Sequence, residues 1–285
     1  MSASEVLFRS VLYIPGSKAR ALDKARTLSI DAIIFDLEDA VAPDEKVSAR
    51  ETLSNELTQG GYGHRHRIVR INGLDTEWGE ADARAANTMA CDAVLLPKVE
   101  SKADIAAVAE LAPDRPIWCM IETPRGILNA LEIADCPEVA GFVMGTNDLA
   151  KDIGCDTGGD RSAMMTALQI ALMAASAANI VCIDGVFNAF KDEDGLRFEC
   201  EQGRALGMDG KTLIHPAQIE IANQVFAPTA DQIDLAERQI DAYDAAIARG
   251  EAVAVVDGKI VENLHVATAH AILKKAAAIR ERDTA

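Results

Sequence analysis

Two carboxylates follow short apolar runs near the middle of the chain. Glu122 comes directly after the run 117–121, and Asp148 ends a turn, 145–148, that follows the run 142–144. Runs that are apolar on both faces and bounded by turn residues indicate buried parallel strands. The carboxyl ends of such strands share the edge where α/β folds place their chemistry. We therefore expect the two acids to lie close together.

Metal binding is the chemistry that such a pair suits. Two carboxylates at one strand edge repel each other unless a cation lies between them, and Mg²⁺ commonly takes one or two carboxylates together with water and substrate oxygens. We predict that Glu122 and Asp148 bind Mg²⁺, with Mn²⁺ as an alternative ion. The other interpretation is that each acid only caps the helix that follows it.

An arginine and an acidic turn form a second charged group. Arg70 lies inside an apolar run, where arginine is rarely buried without a partner. It could clamp a carboxylate or polarise a carbonyl oxygen, or it could form a structural salt bridge. An earlier run ends in a turn that contains Asp36, Glu38 and Asp39. Acids so close to a buried strand are costly unless they are solvated, hydrogen-bonded or paired with a cation.

The helix predicted over 17–28 is rich in positive charge: it contains Lys18, Arg20, Lys24 and Arg26. Together with the N–H groups at a helix N-terminus, these side chains could dock a phosphate group. The other interpretation is a solvated basic face. The chain as a whole has a net charge of −17, which argues against nucleic-acid binding because that needs a basic face.

Eight apolar runs alternate with helical sequence along the 285 residues. The runs are 9–16, 32–35, 68–71, 93–96, 117–121, 142–144, 180–183 and 210–214. This alternation predicts a parallel sheet, and the count of eight favours a closed (β/α)8 TIM barrel, an α/β fold, over an open sheet. Charged side chains would then ring one mouth of the barrel: Arg70, Lys98, Glu122, Asp148, Asp184 and His215.

We predict a catalytic barrel over 1–227 and a C-terminal extension over 228–285, which packs on or over a neighbouring subunit. The extension should contain a helix over 228–249, a small hairpin and a final helix over 264–280. The segment 151–161 is rich in Gly and Asp, which predicts a mobile loop over the site.

The cysteines and the apolar stretches bear on the cellular setting. No apolar stretch is long enough to span a membrane, and no signal-like segment precedes Phe8. No CxxC pair occurs among the six cysteines, which predicts reduced, structural thiols. The six are Cys91, Cys119, Cys136, Cys155, Cys182 and Cys200. We expect a soluble, cytoplasmic protein.

Seven motifs together resemble, in this order, the citrate lyase beta-subunit-like branch of the HpcH/HpaI aldolase family. The motifs are SVLYIPGSKARALDKA, DAIIFDLEDAV, RIVRING, VLLPKVES, IETPRGI, MGTNDLA and GKTLIHPAQI. Members of that branch include malyl-CoA and citramalyl-CoA lyases and a malyl-CoA thioesterase. The resemblance covers about 8–226 and, more weakly, the tail. It implies a homo-oligomer, a trimer or hexamer, with a lid shared between subunits.

The resemblance implies a role for each matching residue near the metal. Glu122 and Asp148 would bind Mg²⁺, and Arg70 would contact the oxygen on which negative charge develops. The carboxylates that hold metal-bound waters are matched by Asp36, Glu38 and Asp39. The turn whose backbone amides receive the carboxylate of an α-keto acid is matched by Gly145, Thr146, Asn147 and Asp148.

The resemblance also implies a coenzyme A site. The basic positions that face the coenzyme A phosphates are matched by Arg20 and Lys24. The wall of the pantetheine channel is matched by Ile214, His215 and Pro216.

The tail departs from the pattern that the resemblance implies. Lyases of the family usually carry an aspartate in a G-K-M-I-D run, which acts as acid or base in a neighbouring subunit's site, whereas the run here ends in Glu262. The carboxylate is one methylene longer, and a displacement of about 1 Å in a catalytic group can cost about a hundredfold in rate. Asp257 is an alternative source of the carboxylate.

Three functions are compatible with these residues. The main hypothesis is a Mg²⁺-dependent lyase that cleaves a malyl-CoA or citramalyl-CoA type of 3-hydroxyacyl-CoA thioester. The products would be acetyl-CoA, or a related acyl-CoA, and a 2-keto acid such as glyoxylate or pyruvate, in a reversible Claisen-type reaction. The alternative is a (3S)-malyl-CoA thioesterase that hydrolyses the same kind of ester to malate and CoA. A weaker alternative is a citrate lyase beta-type subunit of a complex.

Overall fold

Eight parallel strands form a closed barrel in which each strand pairs with its neighbours along the chain and the last strand pairs with the first. The computed structural model describes residues 6–156 and 159–283. The strands are β1 (Ser10–Pro15), β2 (Ala32–Asp36), β3 (His66–Arg70), β4 (Ala93–Leu96), β5 (Ile117–Ile121), β6 (Val139–Met144), β7 (Val181–Asp184) and β8 (Gly210–Leu213). The prediction of a (β/α)8 barrel is confirmed.

Each barrel strand buries both of its faces, which explains why the runs are apolar throughout. In β2, Ala32 and Ile34 pack inside the barrel, whereas Ile33 and Phe35 pack against the surrounding helices. Trp118 is the largest side chain of the interior cluster. Its ring needs a glycine beside it, because a Cβ at Gly141 would lie 2.9 Å from the indole.

Helices follow the strands around the barrel. They are α1 (Ala19–Ala25), α2 (Lys46–Gln59), α3 (Gly79–Thr88), α4 (Lys102–Leu111), α5 (Pro124–Leu128), α6 (Ala130–Ala134), α7 (Thr146–Ile153), α8 (Met165–Ala178), α9 (Glu193–Leu206) and α10 (Ile219–Val225). Within the described part of the chain, none is long and apolar enough to cross a membrane.

Two elements differ from the predictions. Helix α1 is shorter than 17–28, because Lys18 before it has a non-helical backbone and Arg26 ends it. Of the predicted turn 145–148, only Gly145 precedes α7, which already begins at Thr146 and is followed by Gly154 with a φ of 75°. Part of the predicted loop 151–161 is therefore helical, and residues 157 and 158 lie outside the described residues.

The residues from Ala227 onwards form a second compact unit, separate from the unit that ends at Phe226. It consists of α11 (Ala230–Ala248), an antiparallel hairpin of β9 (Ala254–Val256) and β10 (Lys259–Val261), and α12 (Asn263–Asp283). The two hairpin-turn residues, Asp257 and Gly258, have φ values of 49° and 74°, as the tight hairpin turn requires. The packing of this C-terminal unit on a neighbouring subunit stays a prediction.

All six cysteines are free thiols, and four of them are buried: Cys91, Cys119, Cys182 and Cys200. Burial raises the pKa of Cys91 to about 11, so that thiol stays protonated and unreactive at neutral pH.

Candidate functional site

A cavity of about 370 Å³ opens at the carboxyl ends of the barrel strands. The predicted site residues in its wall are Asp36, Asp39, Arg70, Glu122, Gly145, Thr146, Asn147, Asp148 and Ile214. A second cavity, of about 890 Å³, shares Asp148 with the first and is also lined by Glu38 and Lys98. The fold thus brings the acids, the arginine and the turn together at one mouth.

A buried ion pair between Arg70 and Asp36 fixes the guanidinium in the mouth. The two residues face each other on β3 and β2, with Nε donating to Oδ1 at 2.8 Å and Nη2 donating to Oδ2 at 2.5 Å. Burial disfavours the charge of Arg70, but Asp36 and its neighbours outweigh it and hold the pKa of Arg70 well above its usual value. Asp36 also accepts the N–H groups of Glu38 and Ala40. Its four acceptor positions are therefore used, and it orients Arg70 and the turn.

The third guanidinium nitrogen of Arg70, Nη1, makes only long hydrogen bonds, although it also forms an ion pair with Glu38 at 2.7 Å. Nη1 donates to Asp39 Oδ2 at 3.5 Å and to Met120 Sδ at 3.6 Å, and the ring of Tyr13 lies 5.1 Å from the guanidinium. A ligand oxygen could replace such long contacts at little cost. Neither Tyr13 nor Met120 was among the predicted site residues. The feature of the sequence that could have identified them is a polar or polarisable side chain on a barrel strand.

Glu38 is half-buried beside Arg70, and its Oε2 atom is buried without a hydrogen-bond donor. Its Oε2 lies 2.7 Å from Nη1, yet the Nη1 hydrogens are directed to Asp39 and Met120, and within the described residues Oε2 accepts no hydrogen bond. Burial raises the pKa of Glu38 to about 7, with Arg70 opposing the rise and Asp39 adding to it. A carboxyl group with such a pKa exchanges its proton at neutral pH.

Glu122 is held by the backbone of Lys98. Its side chain is buried, and Oε1 accepts the Lys98 N–H at 2.9 Å. Lys98 presents this N–H from a left-handed conformation with a φ of 51°, which is uncommon for a residue other than glycine. Burial raises the pKa of Glu122 to about 7, while the Lys98 N–H and Arg70 oppose the rise. Asp148 raises it further, as expected for a carboxylate nearby.

Asp148 lies in the first turn of α7, where helix N–H groups lack acceptors. The N–H of Gly145 is already bonded to the carbonyl oxygen of Ile121. The amides available to a ligand carboxylate are therefore those that begin the helix. The side chain of Asn147 is paired with Asn188, whose Nδ2 donates to Asn147 Oδ1 at 2.8 Å.

The donor set suits a hard divalent cation. Glu122 and Asp148 line the same cavity, and a Cβ at Gly145 would collide with the Glu122 carboxylate. Over residues 6–156 and 159–283, no three His, Cys, Asp or Glu side chains are placed to hold a metal ion. Two carboxylates completed by water and substrate oxygens is an arrangement that Mg²⁺ prefers. The residues present therefore fit Mg²⁺.

The four cations of the helix predicted over 17–28 have different surroundings in the structure. Arg26 has a structural role, since it binds Glu56 at 2.6 Å and stacks over Tyr62. Lys18 pairs with Glu45 at 3.6 Å. The other two cations, Arg20 and Lys24, are exposed one turn apart on α1.

The loop after β8 presents an apolar edge. Ile214 is exposed beside the mouth cavity, and the ring of His215 stacks on Phe190 at 4.5 Å. His215 Nδ1 accepts the N–H of Ala217. Pro216 begins the short 3₁₀ turn Pro216–Gln218, and Gln218 Oε1 accepts the N–H groups of Ile214 and His215.

The prediction that Asp184 lies on the mouth is wrong. Asp184 is fully buried and binds Arg161 at 2.8 Å and Lys211 at 3.1 Å. Lys211 also binds Glu199 on α9 at 2.6 Å, so the carboxylate faces the helical layer. A strand alternates its side chains between two faces, and Asp184 lies on the outer one.

The two candidate acids of the tail differ in their surroundings. Asp257 accepts two hydrogen bonds from Arg238 Nη1, both at 2.9 Å. Glu262 is exposed just before α12, and its N–H donates to Nδ1 of His265 at 3.0 Å. Asp257 is thus tied within its own unit, and Glu262 presents the less constrained carboxylate.

Comparison with known proteins gives consistent matches along the chain. A model of the HpcH/HpaI aldolase/citrate lyase family matches residues 9–216. A (3S)-malyl-CoA thioesterase of Cereibacter sphaeroides is 61% identical over 272 residues, covering 95% of this chain and 95% of its own. A citrate lyase subunit beta of Leuconostoc mesenteroides is 35% identical, covering 96% of this chain and 94% of its own.

A solved structure matches both units of the chain. It is the protein CitE from Mycobacterium tuberculosis in complex with magnesium, acetoacetate and coenzyme A. The TM-score is 0.80 at 28% sequence identity, and the match covers 96% of this chain and 99% of that chain.

The buried carboxyl group of Glu38 should destabilise the metal-free protein at high pH. Its pKa is about 7 in the folded protein against a usual 4.5, so stability falls as the pH rises through this interval and stays low above it. We expect Glu38→Gln to raise the free energy of unfolding by about 2 kcal/mol at pH 8, with a smaller gain at pH 5. Urea unfolding in the presence of a chelator measures the free energy of unfolding at both pH values. The exposed Glu100→Gln variant is the control. Equal gains at both pH values would contradict the assigned pKa.

Proposed function

The chain is an enzyme of the HpcH/HpaI aldolase/citrate lyase family, and from that premise we propose that it is a Mg²⁺-dependent thioesterase acting on a malyl-CoA type of 3-hydroxyacyl-CoA ester. Hydrolysis would give malate and free CoA. The observation that carries this proposal is the much higher identity to the malyl-CoA thioesterases than to the citrate lyase beta subunits.

Arg70 supplies the contact for the thioester oxygen. Asp36 holds the guanidinium rigidly, and the long hydrogen bonds of Nη1 leave that nitrogen able to donate to an incoming oxygen. When water attacks the thioester carbon, negative charge develops on the carbonyl oxygen. A preorganised donor at that point typically contributes about 3 kcal/mol of transition-state stabilisation.

Glu122 and Asp148 would hold the Mg²⁺, which would supply Lewis-acid stabilisation to substrate oxygens. The residues around them orient the acyl group. The N–H groups that begin α7 would bind an anionic ligand, because they lie at the positive end of the helix dipole. The resemblance assigns this position to a substrate carboxylate, which suits the malyl group.

Analysis of the products formed from malyl-CoA tests the proposal, which predicts free CoA and malate. We expect the protein to release both in equal amounts with Mg²⁺, with little glyoxylate. Asp148→Asn and Glu122→Gln should each lose activity and weaken Mn²⁺ binding in electron paramagnetic resonance, because each removes an anionic ligand. Glyoxylate and acetyl-CoA as the main products would overturn the thioesterase assignment, and unaltered Mn²⁺ binding would overturn the metal site.

Arg20 and Lys24 would bind the phosphates of the CoA moiety, as local cations on a strongly acidic chain. We expect Arg20→Ala combined with Lys24→Ala to raise KM about tenfold at low salt, with kcat nearly unchanged, because both contact a remote part of the substrate. The difference from wild type should narrow as salt is added. Arg84→Ala, which removes an exposed cation from α3, is the control, and an equal effect there would locate the phosphates elsewhere.

Carbon–carbon cleavage is the second candidate function, favoured by the aldolase and lyase members of the family and by the carboxylate retained at Glu262. In this reaction Glu262 would act as acid or base in a neighbouring subunit's site, and Arg70 would stabilise the thioester enolate. The protein would then be a homo-oligomer, a trimer or hexamer, that shares its tail between subunits.

Shortening the tail carboxylate separates the two candidates. Glu262→Asp restores the side chain usual in the lyases, so we expect it to unmask release of a keto acid. Keto-acid release that stays at the wild-type level would remove Glu262 from carbon–carbon chemistry. Mixing Glu262→Ala and Asp148→Asn chains, each inactive in carbon–carbon cleavage, tests the sharing, since mixed oligomers contain some intact sites. No recovery after demonstrated mixing would mean that the tail serves its own barrel or none.

A further inference from the structure

We propose that Glu38 is the general base that activates water for hydrolysis of the thioester. The inference rests on the proposed thioesterase function and assigns its water-activating group to a residue outside the metal pair. The resemblance gives Glu38 a different task, that of holding metal-bound waters. The two roles predict different consequences for metal binding.

The hydrogen-bond pattern around Arg70 leaves Glu38 with accepting capacity. Asp36 takes the hydrogens of Nε and Nη2, and Asp39 and Met120 take those of Nη1. Glu38 Oε2, although 2.7 Å from Nη1, receives no hydrogen from it. A buried acceptor is rarely left unsatisfied, and such an oxygen is a ready partner for a water.

The turn holds Glu38 firmly in this position. Lys46 Nζ donates to the carbonyl oxygens of Leu37 and Glu38 at 3.1 and 2.7 Å, and Asp36 accepts the Glu38 N–H at 2.8 Å. The side chain is therefore carried by a backbone with little freedom. A general base needs such preorganisation, because a misplacement of about 1 Å can cost about a hundredfold in rate.

Glu38 and Arg70 line different cavities at the mouth. Arg70 faces the smaller cavity, where Glu122 and Met120 line the wall, whereas Glu38 lines the larger one and keeps 15% of its side chain exposed. Asp148 borders both. A thioester oxygen at Arg70 and a water at Glu38 would therefore be neighbours that arrive from different sides.

Charges of both signs face Glu38 in the metal-free protein. Burial is the largest influence and raises its pKa to about 7, whereas Arg70 opposes the rise. The other charged groups that face it are Asp36, Asp39, Glu122, Lys46 and Lys98.

The proposed step balances without a further reactant. The Glu38 carboxylate takes one proton from water as the water oxygen bonds to the thioester carbon, and the carbonyl electron pair moves to the oxygen that Arg70 contacts. When that pair returns, the carbon–sulfur bond breaks. The thiolate of CoA leaves and takes the proton back from the Glu38 carboxyl group. The products are a carboxylic acid and CoA thiol.

The test compares Glu38→Gln, Glu38→Asp and the control Glu100→Gln in the Mg²⁺-loaded full chain, with malyl-CoA as substrate. We expect Glu38→Gln to lower kcat for CoA release by about a hundredfold or more, with KM little changed, because the amide cannot accept the proton. The acidic limb of the wild-type kcat–pH profile should disappear. Glu38→Asp should keep that limb at a lower rate, and Glu100→Gln should match wild type.

Metal binding distinguishes the base from a ligand of metal-bound water. We expect Glu38→Gln to bind Mn²⁺ within about twofold of wild type by electron paramagnetic resonance. Weaker Mn²⁺ binding together with activity restored at saturating Mg²⁺ would overturn the inference, as would unchanged kcat. If wild type itself releases no CoA from malyl-CoA, the thioesterase proposal fails, which is a separate result from an unaltered Glu38→Gln variant.

Discussion

The pairing of Arg70 with Asp36 is the interaction on which the mouth of the barrel depends. The residues face each other at the ends of adjacent strands, so the barrel register itself sets the position of the guanidinium. Two bonds to one carboxylate fix its plane, and the same carboxylate ties down the turn that carries Glu38. Breaking a buried pair of this kind typically costs about 3–5 kcal/mol, because a charge is left without compensation.

The geometry of that pair leaves other groups unsatisfied. With Asp36 using two guanidinium nitrogens, the third makes only long hydrogen bonds, and the buried oxygen of Glu38 is ion-paired with it but receives no hydrogen bond. Glu122 likewise has a raised pKa from burial. These acids work against stability in the metal-free protein, a common feature of active sites, where local rules are broken for function. A divalent cation that binds only the folded chain would offset part of this cost.

Hydrolysis and carbon–carbon cleavage need the same oxyanion contact but a base in different places. Hydrolysis needs a carboxylate beside water next to the thioester carbon, which Glu38 would provide within the barrel. Cleavage needs a base at the substrate hydroxyl, which the tail carboxylate of Glu262 would provide. A barrel of this kind can therefore serve either reaction with few changes, since the chemistry depends on side chains placed on a conserved scaffold.

The sequence by itself determined the barrel, since eight short apolar runs separated by helical segments allow few other folds. It also determined that Glu122, Asp148 and Arg70 lie together at the mouth, because polar side chains at the carboxyl ends of buried strands are conspicuous. It did not distinguish Asp184 from the residues at the mouth, because Asp184 also ends a strand, although its side chain faces the helices. It also did not identify Tyr13 and Met120, nor the donor-free oxygen of Glu38. Only the tertiary structure decided these points, because the face of a strand end and the direction of each N–H bond depend on barrel register and packing between distant segments.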